Sequence, residues 1–144
     1  MKNLFAAIRF ITILPAGRSE RFDAMGMVPW FPVAGLLLGV LLAAFDLAAS
    51  HLWPVSAVSI LDVILLAILT GAFHLDGLGD TADGLFSHRP RERILEIMKD
   101  SRIGVMGVVA VVSVLAVKWA GISGLGENRT ALLILVPAYA RCGI

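Results

Sequence analysis

Three aspartates fall at positions 76, 80 and 83, within the run His74-Leu-Asp-Gly-Leu-Gly-Asp-Thr-Ala-Asp-Gly84. On an α-helix, i, i+4, i+7 spacing places three side chains within roughly 60° of arc, along one stripe of one face. Like charges at that spacing repel, so the stripe calls for a cation. A hard divalent ion is the economical choice. Magnesium takes oxygen ligands and is commonly held by one or two carboxylates together with substrate phosphates. No cysteine lies nearby, which argues against zinc or a softer metal. His74 and His88 flank the stripe and read as structural hydrogen-bonding residues rather than ligands. Gly77, Gly79 and Gly84 interrupt it, although glycine is about 1 kcal/mol worse than alanine in a helix. They make sense where backbone must come close to a bulky ligand. The plainer alternative is a flexible loop, because Asp-Gly pairs are turn signals. The helical spacing and the adjoining apolar run favour a site.

A second polar stretch runs from Arg91 to Gly104. Ile94, Ile97 and Met98 give it an apolar face, Glu96 and Asp100 are again i, i+4, and Arg93 and Lys99 lie close by. A solvated surface helix with weak ion pairs accounts well for Arg91 and Glu92. It accounts less well for Glu96, Asp100 and Arg102, which sit where the next apolar run begins. An arginine such as Arg102 suits bidentate capture of a phosphate. Carboxylates for a metal and arginine for remaining phosphate charge fit phosphoryl transfer, which needs positioning and electrostatics more than a covalent nucleophile. Walker A, G-x-S-x-G and H-E-x-x-H patterns are all absent.

The elements that must position these residues are apolar. Of 144 residues, 58% are hydrophobic and 16% charged, with mean hydropathy +0.88. That apolar excess is too large for a soluble core and points to lipid as the solvent. Runs at about 28–49, 55–73, 103–122 and 130–144 are the expected spans of one integral membrane domain, an all-α polytopic bundle. Residues 74–102 form a carboxylate-rich helical insertion. Arg18 and Arg21 precede the first span, and Arg89, Arg91, Arg93, Lys99 and Arg102 lie in the insertion. Only Arg129 marks the other side, with Lys118 able to snorkel toward it. The positive-inside rule then puts the insertion in the cytoplasm of a cell (inner) membrane protein. Net charge of +1 gives no field that would draw nucleic acid.

Leu4 to Leu14 reads as an amphipathic or shallowly inserted helix, stopped by Pro15 and Gly17. Arg9 splits its apolar stretch, and no A-x-A-like site follows, which argues against a signal peptide. Cys142, the single cysteine, reads as a small apolar residue of a membrane helix. Asp62 lies well inside the second span, where a carboxylate is costly; it is expected to face the bundle interior or to be protonated, with contact to a ligand the lesser reading. Asp46 is expected to reach the outer interface. Arg141 is expected to pair with a carboxylate or to mark a return toward the cytoplasm.

Taken in order, Phe10-Ile-Thr-Ile-Leu-Pro15, Trp30-Phe-Pro-Val-Ala-Gly35 with Gly39, the aspartate run 74–84 and Glu96-Ile-Met-Lys-Asp-Ser-Arg-Ile-Gly104 resemble the cobalamin synthase family of adenosylcobinamide-GDP ribazoletransferases. The last two motifs are the specific ones. The resemblance implies a magnesium-dependent membrane transferase that joins adenosylcobinamide-GDP to α-ribazole or its 5′-phosphate and releases GMP. It implies Asp76, Asp80 and Asp83 as metal ligands, with Asp80, Asp83 and Asp100 catalytic. Asp100 would be the base or a further ligand. Glu96, Arg102, Gly77, Gly84 and Gly104 would bind substrate. A homo-oligomer is compatible with it. Family members run on past Ile144 with further spans, so residues 1–144 are expected to hold only part of the substrate pocket.

The nearest rival is a CDP-alcohol phosphotransferase making a lipid. That family carries Ala-Arg after its first aspartate pair, where this chain has Asp80-Thr-Ala-Asp83. A transporter is disfavoured because the carboxylates cluster at a membrane boundary rather than the midplane. A non-catalytic membrane scaffold is the third reading.

Overall fold

The computed structural model describes residues 2–17 and 24–143. Arg18 and Arg21, which support the expected orientation, lie outside them. The described residues form helices α1 (Lys2–Ile11), α2 (Ala24–Met27), α3 (Phe31–Ala49), α4 (Val55–Leu69), α5 (Phe73–Leu85), α6 (Arg91–Ile97), α7 (Val105–Ser123) and α8 (Arg129–Tyr139), with a 3₁₀ turn at Val28–Trp30. No strand occurs among them, and the expected all-α bundle is what is found.

The first span is an apolar stretch over Met25–Ala49, in which α2 and the 3₁₀ turn lead into α3. Pro29 and Pro32 fall where first-turn amides have no intrahelical partner, so their missing N–H groups cost little. The amphipathic helix is also present. Ala7, Ile8 and Ile11 of α1 bury against Met27, Phe31 and Ala34, and Phe10 stacks on Phe31 with ring centroids 5.8 Å apart. Helix α7 buries only Gly107, and Val105, Val112 and Val117 point outward. A helix so apolar on its outer surface is suited to lipid.

Helices α3 and α8 pack most closely. A methyl group on Gly35 would come 2.8 Å from Ala138 Cα, and one on Gly39 would come 2.8 Å from Ile134 Cα. The Gly35-x-x-x-Gly39 spacing therefore lets two backbones touch, the usual route to helix association in lipid.

The second apolar run, 55–73, is not one continuous helix. Helix α4 stops at Leu69, and the axis turns by 89° into α5. Gly71 and Ala72 make the corner with φ of +59° and +54°, a region natural for glycine and strained for alanine. The Ile13 amide donates to the Leu69 carbonyl at 2.9 Å, which ties the exit of α1 to this corner. The 15 residues of α4 extend only about 22 Å at helical rise. The 11 residues of α8, with Pro137 inside, extend about 16 Å.

Three intramembrane charges meet at one place. Arg129 donates to Asp46 Oδ1 from Nε at 2.8 Å and from Nη2 at 2.6 Å. It also donates to Asp62 Oδ2 at 3.0 Å, Ser59 Oγ at 3.1 Å and the Ile122 carbonyl at 2.6 Å. Asp46 is 2% exposed and Asp62 is fully buried. The expectation that Asp46 reaches the interface is thus corrected. Its counter-ion, expected to face the outer solution, instead turns inward and fastens α8 to α3, α4 and α7. Removing one partner of a buried ionic cluster leaves uncompensated charge and costs about 3–5 kcal/mol. Arg129→Gln is therefore expected to lose that much stability in detergent. Unfolding of parent and variant in parallel would show it, and equal stability would dismiss the cluster as a fastener.

Candidate functional site

Helix α5 carries the aspartate stripe and lies along the first half of α7. Its inner face is made of small residues: Gly79, Ala82 and Gly84 are buried. A methyl on Gly79 would meet Ile103, Val111 and Gly107 at ordinary contact distances of 3.5–3.9 Å, while one on Gly107 would lie 2.9 Å from the Gly79 carbonyl oxygen. A methyl on Gly84 would press on Met98 of the α6 segment at 2.8 Å. Of the α5 glycines, only Gly77 faces open space. Of the glycines expected to admit a ligand, Gly77 alone has room beside it. Gly84 instead admits Met98, and Gly104 admits the Asp83 carboxylate.

Asp83 accounts for the register of these helices. Its Oδ2 accepts the Gly104 amide at 2.6 Å, and its Oδ1 accepts the Gly107 amide at 2.8 Å. The α7 N-terminus has no side-chain cap of its own; Gly104 stands at the N-cap position in extended conformation. First-turn amides are orphan donors at the positive end of the helix dipole. A carboxylate from α5 satisfies two of them.

Asp76, Asp80 and Asp83, expected as metal ligands, are spread along one helix, α5. Among the described residues, no three His, Cys, Asp or Glu side chains converge on a point that could hold an ion. Seven residues of helix separate the stripe's ends by about 10 Å, and Asp83 turns toward α7. Asp76 is exposed and Asp80 half-buried, so these two remain directed away from that contact. Thr81 between them donates to the Gly77 carbonyl at 2.6 Å, within its own helix.

The second motif pairs internally. Glu96 forms an ion pair with Arg93, both largely exposed. Asp100 grips Arg102. Nη2 reaches Oδ2 at 2.7 Å, Nε reaches Oδ1 at 3.1 Å, and the Arg102 backbone amide donates to Oδ1 at 3.1 Å. Hydrogen bonds from the Arg102 side chain, then from its amide, hold the Asp100 carboxyl down at about 2, against an ordinary 3.8. The same carboxylate raises the Arg102 guanidinium. The contact places Asp100 to orient Arg102. The sequence reading passed over Gly107; the signal was a Gly-x-x-Gly pair opening an apolar helix that lacks its own cap.

The fold and site define a class: a polytopic helical membrane protein in which spaced carboxylates on a short helix are clamped against the start of a spanning helix. Residues 3–144 match the cobalamin-5-phosphate synthase family, to which the chain belongs. It is 44% identical to the adenosylcobinamide-GDP ribazoletransferase of Herpetosiphon aurantiacus, over 98% of this chain and 58% of that protein. The like-named protein of Roseiflexus sp. is 42% identical over 94% and 52%, and that of Klebsiella pneumoniae 44% identical over 98% and 66%. The chain thus spans between half and two thirds of the length of these relatives. No solved structure matches it.

Two outcomes follow from this geometry. An NMR titration of the Asp100 carboxyl is expected to show a midpoint of about 2, moving up toward the ordinary value in Arg102→Gln. Because the folded value is depressed, the pair's contribution is complete above the ordinary carboxyl range and disappears as pH falls through that midpoint. An ordinary midpoint in the parent would refute the pairing. Asp83→Asn places an amide donor against an N–H and is expected to lose about 1–2 kcal/mol of local stability. Faster hydrogen exchange at the Gly104 and Gly107 amides would report it.

Proposed function

We propose that this chain carries the motif-bearing part of a transferase that joins adenosylcobinamide-GDP to α-ribazole, or to its 5′-phosphate, with release of GMP. The observation that carries this reading is the family match over residues 3–144, together with the names of relatives aligned along nearly the whole chain. The reaction is a phosphoryl-linked displacement. A ribose hydroxyl attacks the phosphorus attached to the corrinoid, the bond to the GMP phosphate breaks, and the hydroxyl proton passes to solvent.

Magnesium fits the residues in a reduced form. Asp76 and Asp80 would hold it together with the substrate's phosphates, in the one-or-two-carboxylate manner usual for this ion. When bound, it would neutralise the pyrophosphate. Asp83 acts at one remove, by fixing α5 against α7 so that the two outer carboxylates present a constant spacing. Arg102, aimed by Asp100, is the candidate partner for phosphate charge. Gly77 leaves the surface beside Asp76 and Asp80 open to a bulky ligand. The α5–α6 face would lie in the cytoplasm of the inner membrane, as its arginines favour.

Membranes containing this chain, given both substrates and magnesium, are expected to form the joined corrinoid, resolved by chromatography. Chelation should abolish it. Asp80→Asn should lower turnover by about a hundredfold, the size expected for a group aligned with transition-state charge, with membrane insertion unchanged. Product formed at the parent rate by Asp80→Asn would remove that carboxylate from the reaction. No product from the parent, beside an active full-length relative, would show that the segment cannot work alone.

A further inference from the structure

The two arginines of α8 and its C-terminal turn are treated very differently. Arg129 is surrounded by Asp46, Asp62, Ser59 and a carbonyl. Arg141 is as deeply placed, at 8% exposure, yet it has no carboxylate partner among the described residues. Its Nη1 donates to the Pro137 carbonyl at 2.8 Å, and its Nε is buried with no acceptor. Its stem passes over Gly35, where a methyl would lie 2.8 Å from Arg141 Cδ. Gly35 therefore leaves room for the guanidinium to stand one turn inside the bundle. An arginine held in apolar surroundings without a counter-ion is expensive and marks a functional position.

Arg141 lines a cleft of about 270 Å³ between α4, α5, α7 and α8. Thr70, His74 and Lys118 share its wall, and no carboxylate does. The remaining lining is apolar, such as Leu115 and Val136. The cleft shares Val63, Leu66 and Val136 with an adjoining cavity of about 340 Å³ whose walls, Lys118 apart, are apolar. One end thus offers a guanidinium, an imidazole and a hydroxyl, and the other offers a slot for a non-polar body.

We infer that this cleft is a phosphate-binding site anchored by Arg141, for a ligand that carries its phosphate on an apolar or bulky body. Guanidinium–phosphate pairs are strong and directional, and they strengthen where water is excluded. Such a phosphate has two sources: the headgroup of an anionic phospholipid entering from the bilayer, or a soluble phosphate ester arriving from the aqueous side. The cleft reaches α5 at His74 and Leu75, and neither Asp76 nor Asp80 lines it; its binding of phosphate does not depend on the reaction proposed above.

The test uses the whole chain in phosphatidylcholine nanodiscs, with binding as the readout rather than turnover. Inorganic pyrophosphate is titrated by calorimetry. In parallel, phosphatidylglycerol is added to the nanodiscs and its adducts are counted by native mass spectrometry. At least one probe is expected to bind, to weaken about tenfold or more in Arg141→Gln, and to recover partly in Arg141→Lys. Arg91→Gln, on the exposed α6, should leave binding unchanged. Pyrophosphate alone would assign the cleft to a soluble phosphate ester, and phosphatidylglycerol alone to a lipid headgroup. Helical content and melting of the ligand-free Arg141→Gln protein should match the parent. If that variant fails to fold, Val136→Trp, which fills the cleft without changing charge, takes its place. Absence of binding by both probes, or binding that survives Arg141→Gln or Val136→Trp, would overturn the site.

Discussion

Charge inside a bilayer has no water to fall back on, so an ionised side chain there needs an answering group, from the protein or, as inferred for Arg141, from a ligand. Arg129 answers Asp46 and Asp62, and in doing so fastens four helices around one guanidinium. The α7 amides at Gly104 and Gly107 are answered by Asp83 from another helix. The close approach of α3 and α8 and the glycine-lined contact of α5 with α7 are both arranged around these polar meetings. In lipid the hydrophobic effect gives no preference between helix faces, which leaves close packing at small residues and polar contacts to choose the partners. The polar contacts and the glycine contacts together favour one arrangement of the bundle.

The candidate site inherits its shape from that requirement. Because α4 ends in a sharp corner, α5 lies across the bundle instead of continuing the span. The corner brings the stripe against α7, where one aspartate is consumed as a helix cap and two remain facing outward. In the proposed function, one carboxylate thus holds the scaffold while the other two serve the ligand. The loop leading into α7 contributes a guanidinium already aimed by its own acidic neighbour.

Much of this was readable from spacing. The i, i+4, i+7 aspartates placed one face on a helix, the apolar runs located α3 and α7, and Leu4 to Leu14 gave the amphipathic α1. The motifs also pointed to the family that the alignment then identified. What could not be read were contacts made across long stretches of chain. Asp83 looks like its neighbours in sequence, and only the placement of α7 separates their roles. Asp46 sits three residues from a helix end, where an exposed carboxylate is the ordinary outcome, and its burial depends on an arginine far downstream. The break after Leu69 had a local signal in Gly71, and the expected boundary between residues 73 and 74 falls just past the corner, whose angle no local pattern gives. The lining of the Arg141 cleft comes from four helices, and no local pattern announces it.

The Arg129 cluster also bears on how the chain is made. Asp46 precedes its counter-ion by 83 residues and Asp62 by 67. At about 5–20 residues per second, a ribosome needs roughly 3–13 s to reach Arg129 after Asp62 has emerged. During that interval the first hairpin has both its acids and no guanidinium. The order of translation therefore delays closure of the bundle until α8 arrives, and that helix completes the packing and the charge balance in one step.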